Sequence, residues 1–153
     1  MTNNSPMPDD FYGFPTGPWR YVEGRYDDNK PILVRFNEGL HAIIDNTDHI
    51  ARIGFAIPLN YPNPGGFPHP DENDQIGEIE DCIRAAMTAE GSNTQALALT
   101  TGTFKEFVFY AQPDFDVKVV HEKLMDEIES HEVQCCAYVD REWKLFQEWS
   151  DWD

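Results

Sequence analysis

The fold is predicted from a stretch in the middle of the chain, residues 95–111, with the sequence QALALTTGTFKEFVFYA. Two runs of strand-forming residues, 95–101 and 104–111, flank Gly102, which is the pattern of a β-hairpin. In the second run, alternate side chains form one mostly apolar side and one mixed side. We therefore expect two antiparallel strands that contribute one face to a core.

This hairpin is flanked on each side first by a predicted helix and then by a predicted strand. The helices are expected over 72–90 and 116–130, because apolar residues recur there at helical spacing: Ile76, Ile79, Ile83, Ala86 and Met87, then Val117, Val120, Leu124 and Ile128. Acidic side chains at 71–74 are expected to cap the first helix, and Gly91 to end it. With strands over 51–59 and 134–139, the order predicts an α+β protein. Its expected architecture is a ferredoxin-like βαββαβ sandwich, an antiparallel sheet with two helices on one face.

The remaining chain is expected to add to this unit without forming a second domain. Strands over 19–26 and 31–36, joined by a turn at 27–30, predict an N-terminal β-hairpin that extends or covers the sheet. Residues 60–70 hold four prolines and a Gly-Gly pair and predict a surface loop. Residues 142–149 predict a short terminal helix or turn. The predicted organisation is a flexible N-terminus over 1–14 and one α+β domain over 15–153.

Charge is the strongest functional signal of the sequence. The chain has 28 acidic and 11 basic side chains, a formal net charge of −17. Such a field repels nucleic acid and anionic membranes and attracts basic protein surfaces, so we expect a basic protein partner. No apolar run is long enough to span a bilayer, no secretory signal is visible, and the three cysteines show no metal or disulfide spacing. A cytoplasmic protein with reduced thiols is predicted.

No complete catalytic or metal-binding motif accompanies the charge. Segment 71–82 partly matches a calcium loop, but Ile76 stands where glycine is needed and Cys82 where a glutamate is needed. Two His-Glu pairs, at 121–122 and 131–132, lack the second histidine of a zinc protease motif and are predicted to be surface residues. We therefore predict no catalytic residue, no metal and no cofactor, and a protein that is not an enzyme.

Two acidic regions are predicted to contact the partner, one at the first helix and one at the C-terminus. In the C-terminal region, Trp143 and Phe146 are expected to hold the terminus on the sheet. Aromatic anchors within a charged rim are typical of binding hot spots. The predicted partner-binding residues are Asp71, Glu72, Asp74, Glu78, Asp81, Glu148, Trp149, Asp151 and Trp152.

Several short stretches of the chain also carry a family resemblance. They are 19–21 (WRY), 34–40 (VRFNEGL), 66–68 (GFP), 78–81 (EIED), 102–110 (GTFKEFVFY) and 140–143 (DREW). With these stretches the chain resembles an uncharacterised bacterial family, number 695 among the domains of unknown function. It departs from the expected pattern at 104–105, where Phe-Lys precedes the glutamate in place of an arginine.

The resemblance implies no catalytic residues. Some members of the family look similar to, or occur fused with, the ribonuclease E activity regulator type B, a small acidic ferredoxin-like protein that binds a nuclease. By analogy, this similarity favours an inhibitor.

The sequence thus predicts an acidic cytosolic protein that inhibits a basic partner. The most specific hypothesis is an immunity protein that neutralises a bacterial toxin domain by occluding its active or substrate site. A housekeeping nuclease regulator is an alternative. A small carboxylate-dependent enzyme, with or without a metal, is another, and its distinguishing sign would be a pocket where two or three of Asp71, Glu72, Asp74 and Glu78 converge. A subunit or scaffold domain whose acidity serves only solubility is a third alternative. The oligomeric state stays open.

Overall fold

The computed structural model describes residues 12–151, which form one sheet with helices on both of its faces. The strands are β1 (Trp19–Tyr26), β2 (Lys30–Asn37), β3 (Ala51–Pro58), β4 (Asn93–Thr100), β5 (Phe104–Ala111) and β6 (Gln134–Val139). The α-helices are α1 (Pro70–Glu90), α2 (Val117–Glu127) and α3 (Lys144–Ser150), and a 3-10 helix spans Glu38–Ala42. The predicted α+β class is therefore confirmed.

All neighbouring strands of the sheet are antiparallel, in the order β1-β2-β4-β5-β3-β6. The hairpin β4–β5, from which the fold was predicted, lies in the middle of the sheet. The connections through α1 and α2 each join two strands that have a third strand between them. The N-terminal hairpin β1–β2 extends the sheet by pairing with β4, where Leu33 lies opposite Thr100.

One core fills the space between α1, α2 and the central strands. It includes the inward side chains of α1 and α2 together with those of β3 and β5: Ile53, Phe55, Ile57, Ile76, Ile79, Ile83, Met87, Phe107, Phe109, Val120 and Leu124. Each such fully buried side chain contributes about 1.5–3 kcal/mol relative to exposure. The two helices cover β3, β4 and β5. On the same side of the sheet, they leave β1 and β2 of the added hairpin uncovered.

A second core lies on the opposite face and holds the C-terminus. Trp143 stacks on Tyr110 with 3.8 Å between the ring centroids, and its Nε1 donates to the carbonyl of His49 at 2.9 Å. Phe146 of α3 packs edge-on against Trp143 and is fully buried. The predicted role of Trp143 and Phe146 in holding the terminus is therefore confirmed.

The boundaries differ from prediction mainly at helix ends. α1 begins at Pro70 because proline suits the first helical position, where its missing N–H is not needed. Its N-cap residue is His69, and no side chain caps the helix, so the prediction of acidic caps is wrong. The turn at 27–29 has positive φ at each residue, 33°, 53° and 67°, as its Asp-Asp-Asn sequence predicts.

The termini are described only in part. Of the N-terminal segment predicted to be flexible, 1–14, the structure describes residues 12–14, and Phe14 is buried in the second core. None of the helices in the described range is long and apolar enough to cross a membrane.

Candidate functional site

Exposed carboxylates form a stripe along the outer side of α1, which we call the acidic ridge: Asp71, Asp74, Glu78 and Asp81. Their spacing of three and four residues places them on one face of the helix. The opposite face is the buried stripe of Ile76, Ile79 and Ile83. Within residues 12–151, Asp81 pairs with Arg84 at 2.6 Å, and the other three carboxylates form no ion pair. Apart from the Asp81–Arg84 pair, the ridge is thus a negative surface whose carboxylates are not neutralised by cations of the described chain.

The acidic ridge continues onto the end of α2. A furrow of about 340 Å³ separates the two helices and is lined by Glu78 on one side and by Glu127 and Glu129 on the other. Like charges on both sides of one furrow repel each other, and a cation placed between them relieves that repulsion. The helical layer therefore favours a cationic partner over a broader area than α1 alone.

Glu72 does not belong to this surface. Its side chain turns inward, and the residue is 3% exposed. Oε2 accepts from the backbone N–H of Asn60 at 2.6 Å and lies 2.7 Å from Nε2 of His131, while Oε1 accepts from the N–H of Tyr61 at 3.0 Å. Burial raises the pKa of Glu72, but these hydrogen bonds outweigh it and hold the pKa below its ordinary value. Glu72 is buried and fully bonded, so it is not available to a partner.

His131 corrects a second prediction, because it is buried and not a surface residue. Its imidazole and the Glu72 carboxylate join the start of α1 to the segment that precedes β6. His121 is half-buried, with Nε2 2.7 Å from the carbonyl of Val133. Both histidines therefore serve internal contacts.

The C-terminal candidates lie on the other face of the sheet from the acidic ridge. Trp149 is half-buried against the second core, where a Cβ on Gly24 would come within 2.9 Å of its Cζ3. Glu148 and Asp151 are exposed, and Trp152 lies outside the described residues. The two acidic regions predicted from the sequence are therefore not parts of one continuous interface.

A groove beside α1 was not predicted. It measures about 580 Å³ and lies beside the first half of α1, where residues of β1, β2, β4 and β5 line it. We call it the α1 groove; its lining includes Tyr21, Leu33, Arg35, Gly77, Glu80 and Lys105. It exists because α1 and α2 cover only the central strands, which leaves the added hairpin open on that side.

Charged groups with internal partners line the α1 groove. Arg35 pairs with Oε2 of Glu80, and its guanidinium lies 4.9 Å from the centre of the Trp19 ring. Gln95 donates to the same oxygen at 2.8 Å. Burial lowers the pKa of Lys105, and the negative charge of Glu80 partly offsets that effect. In the sequence, Arg35 is the one sign of this groove, because it is a charged residue within the otherwise apolar run of β2.

The cluster of carboxylates that would distinguish the carboxylate-enzyme alternative is not present among the described residues. Asp71, Asp74 and Glu78 lie along the outside of α1, whereas Glu72 points into the interior. Within 12–151, no group of three or more histidine, cysteine or acidic side chains is arranged to hold a metal ion. The carboxylates of this region therefore do not form a shared pocket.

The adjacent cysteines of β6 have environments that keep their thiols protonated. Cys135 packs against the first core. Its burial, and to a smaller extent its electrostatic interaction with Cys136, raise its pKa to about 12. Burial and the charge of Glu106 also raise the pKa of Cys136. Since the thiolate is the nucleophile, neither thiol is activated at neutral pH.

Comparison with known proteins gives one match. The profile described as "Family of unknown function (DUF695)" matches residues 18–149. No curated protein and no solved structure matches the chain.

Proposed function

Because the chain belongs to the DUF695 family, whose function is unknown, we propose its function from its own surface: it binds and inhibits a basic protein in the cytoplasm. The most specific form of this proposal is a bacterial immunity protein. It would neutralise a toxin domain by occluding the active or substrate site. A housekeeping nuclease regulator would use the same chemistry on a different partner.

The acidic ridge is the observation that carries the proposal. Asp71, Asp74 and Glu78 have no ion pairs among the described residues, and they project from a helix whose other side is anchored in the core. The free protein therefore does not have to break internal pairs before it meets lysines or arginines. Complementary charge of this kind speeds encounter and rejects acidic partners.

The mechanism of inhibition follows from this spacing. A nuclease-like domain binds phosphates through a row of lysines and arginines. Carboxylates repeated along α1 would engage such a row and cover it. The exposed ring of Tyr21 lines the α1 groove, which also includes Asp74 of the ridge, and supplies apolar area beside the charges. Tyrosine is among the residues enriched at binding hot spots.

We also infer the finer fold assignment. The strand order β4-β5-β3-β6, with α1 and α2 packed on one core, is the arrangement of a ferredoxin-like sandwich, to which β1–β2 is added. A similarity of family members to the ribonuclease E activity regulator type B, expected from the sequence, would add to this proposal by analogy alone.

The proposal is tested by affinity capture from the cells that make the protein, with three baits. The baits are the native chain, the variant Asp74→Lys/Glu78→Lys on the acidic ridge, and the variant Glu148→Lys/Asp151→Lys on the opposite face. The two variants change net charge equally, so only the position of the change differs between them. We expect a basic protein that is captured by the native chain and the second variant, released by salt, and inhibited in its activity when bound. Recovery of no basic protein at low salt would contradict the proposal.

A further inference from the structure

The α1 groove combines a helix wall, a sheet floor and charges of both signs. Its wall is α1, and its floor is formed by side chains of β1, β2, β4 and β5. Asp74 is the one ridge residue in its lining, so the groove and the outer ridge are largely separate surfaces. The groove therefore needs its own explanation.

Gly77 leaves room in the helix wall without a structural reason. A Cβ added there would meet nothing within 4 Å, and its φ is outside the left-handed range that favours glycine. A glycine inside a helix weakens the helix relative to alanine. Neither packing nor backbone conformation requires this glycine, and the space that it leaves opens into the groove.

Glu80 presents an unused acceptor in the same groove, one helical turn further along. The residue is 8% exposed. Oε2 accepts from Arg35 and from Gln95, whereas Oε1 accepts no hydrogen bond from the part of the chain that the structure describes. Oε1 is not completely buried, so a donor that enters the groove can reach it.

Lys105 and Arg35 present unused donors on the groove floor. Nζ of Lys105 donates to Oδ1 of Asn73 at 3.0 Å and lies 5.8 Å from the centre of the Phe107 ring, so two of its three N–H groups have no hydrogen-bond acceptor among residues 12–151. Arg35 likewise uses Nη2 for Glu80. Two cations and the two carboxylates of Asp74 and Glu80 thus give the groove charges that balance.

We propose that the α1 groove binds an α-amino carboxylate with an apolar side chain, as a free amino acid or as the C-terminal residue of a peptide. The ligand carboxylate pairs with Lys105 and Arg35, and its nitrogen donates to Oε1 of Glu80. The apolar side chain lies on Tyr21 and Leu33. Simple ions fit less well, because a lone cation meets Lys105 and Arg35, and a lone anion meets Asp74 and Glu80.

The proposal is tested on the full chain by calorimetry and by amide chemical shifts, with three probes. L-phenylalanine carries both charges, N-acetyl-L-phenylalanine lacks the ammonium, and L-phenylalaninamide lacks the carboxylate. We expect L-phenylalaninamide to bind at least about tenfold more weakly than the best of the other two. Tighter binding of L-phenylalanine identifies a free amino acid, and tighter binding of the acetylated probe identifies a peptide terminus. Equal binding of the amide, or no binding of any probe, overturns the proposal.

Two variants locate the binding. Gly77→Leu fills the groove, and Lys105→Met removes the charge while it keeps the length of the side chain; each is expected to weaken binding by about tenfold or more. Far-ultraviolet circular dichroism and the thermal midpoint verify that both variants fold. The ridge variant Asp71→Lys/Glu78→Lys, whose positions lie outside the groove, is expected to bind the probe as the native chain does. If folded Gly77→Leu binds the probe with native affinity, the proposal is wrong. This outcome does not depend on whether the protein binds a basic partner.

Discussion

The carboxylate of Glu72 and the imidazole of His131 are 59 residues apart in the sequence and meet in the interior, with 2.7 Å between Oε2 and Nε2. Their side chains are 2% and 0% exposed. The contact fixes the start of α1 to the segment before β6, and the same carboxylate receives two N–H groups of the loop that leads into α1. This internal contact orients the helix that carries the acidic ridge.

Replacement of Glu72 by glutamine is expected to destabilise the protein by about 1–3 kcal/mol, because one charged acceptor with three donors becomes a neutral amide. Glu72→Ala removes all of these contacts and is expected to cost more, about 3–5 kcal/mol. Urea unfolding measures both. The exposed neighbour Asp71→Asn is the control and is expected to change stability by less than about 0.5 kcal/mol. An equal effect of Asp71→Asn and Glu72→Gln would contradict the assignment.

The same residue predicts a pH dependence. The folded pKa of Glu72 is lowered, so its contribution to stability is present above the pKa of an unfolded glutamate, about 4.3. That contribution is lost as the pH falls through the lower folded pKa. The stability difference between the native chain and Glu72→Gln is therefore expected to shrink between about pH 5 and about pH 3. Urea titrations of both proteins across this range measure it, and a difference that grows on acidification would contradict the prediction.

The burial of two acidic residues on α1 was partly visible in the sequence. Glu72 lies four residues before Ile76, at the spacing of the buried stripe of α1, and Glu80 lies three residues before Ile83. Glu72 was predicted to contact a partner, and Glu80 was not among the predicted site residues, because charged residues are seldom buried without a partner. Their partners, His131 and Arg35, are distant in the sequence, so no local pattern could identify them. The strands and helices depend on periodicity along the chain, which is why they were predicted well.

The α1 groove shows the same limit for a different reason. The groove lies where the cover of the helices ends and the added hairpin begins. Its position therefore depends on the strand with which the hairpin pairs, which is β4. The periodicity of β1 and β2 predicts two strands but does not specify their neighbour. Likewise, the sequence could not show that α3 and α1 lie on opposite faces, which separates the two predicted acidic regions.

Two glycines give a matched pair of opposite predictions. Gly77→Ala places a methyl group in open space on a helix, so it is expected to stabilise the protein by about 0.5–1 kcal/mol. Gly102→Ala would place its Cβ in collision with the backbone carbonyl of Asn63, and backbone moves less readily than a side chain. A loss of about 1–3 kcal/mol is expected. Thermal unfolding of both variants measures these effects, and a neutral Gly102→Ala would show that the loop at 60–70 adjusts freely.

The pair Arg35–Glu80 predicts non-additive substitutions. Arg35→Met leaves a buried carboxylate without its cation, and Glu80→Met leaves the cation without its anion, so each is expected to cost about 3–5 kcal/mol. The double variant removes both charges and is expected to recover much of the loss, since paired apolar side chains can replace a buried ion pair. Unfolding free energies of the four proteins give the coupling. Strict additivity would mean that the pair contributes no interaction of its own.

Trp143 is expected to be the most sensitive position of the second core. Trp143→Ala removes the stack on Tyr110 and leaves a large cavity, for an expected loss of about 3–5 kcal/mol. Trp143→Phe keeps a ring but leaves the carbonyl of His49 without its donor, for a loss of about 1–3 kcal/mol. Chemical denaturation separates the two variants. If both lost the same stability, the hydrogen bond would have no net effect.

The acidic ridge predicts the kinetics of association with the basic partner. Asp74→Lys/Glu78→Lys leaves the buried side of α1 unchanged, so the variant is expected to fold with native stability. Its association rate is expected to fall by about tenfold or more at low salt, because the charges that steer encounter are reversed. The difference should shrink as added salt screens exposed charges beyond about 8–10 Å. Stopped-flow rates at several salt concentrations measure this, with Glu148→Lys/Asp151→Lys as the variant of equal net charge. If that control slowed association as strongly as the ridge variant, net charge and not the ridge would govern encounter.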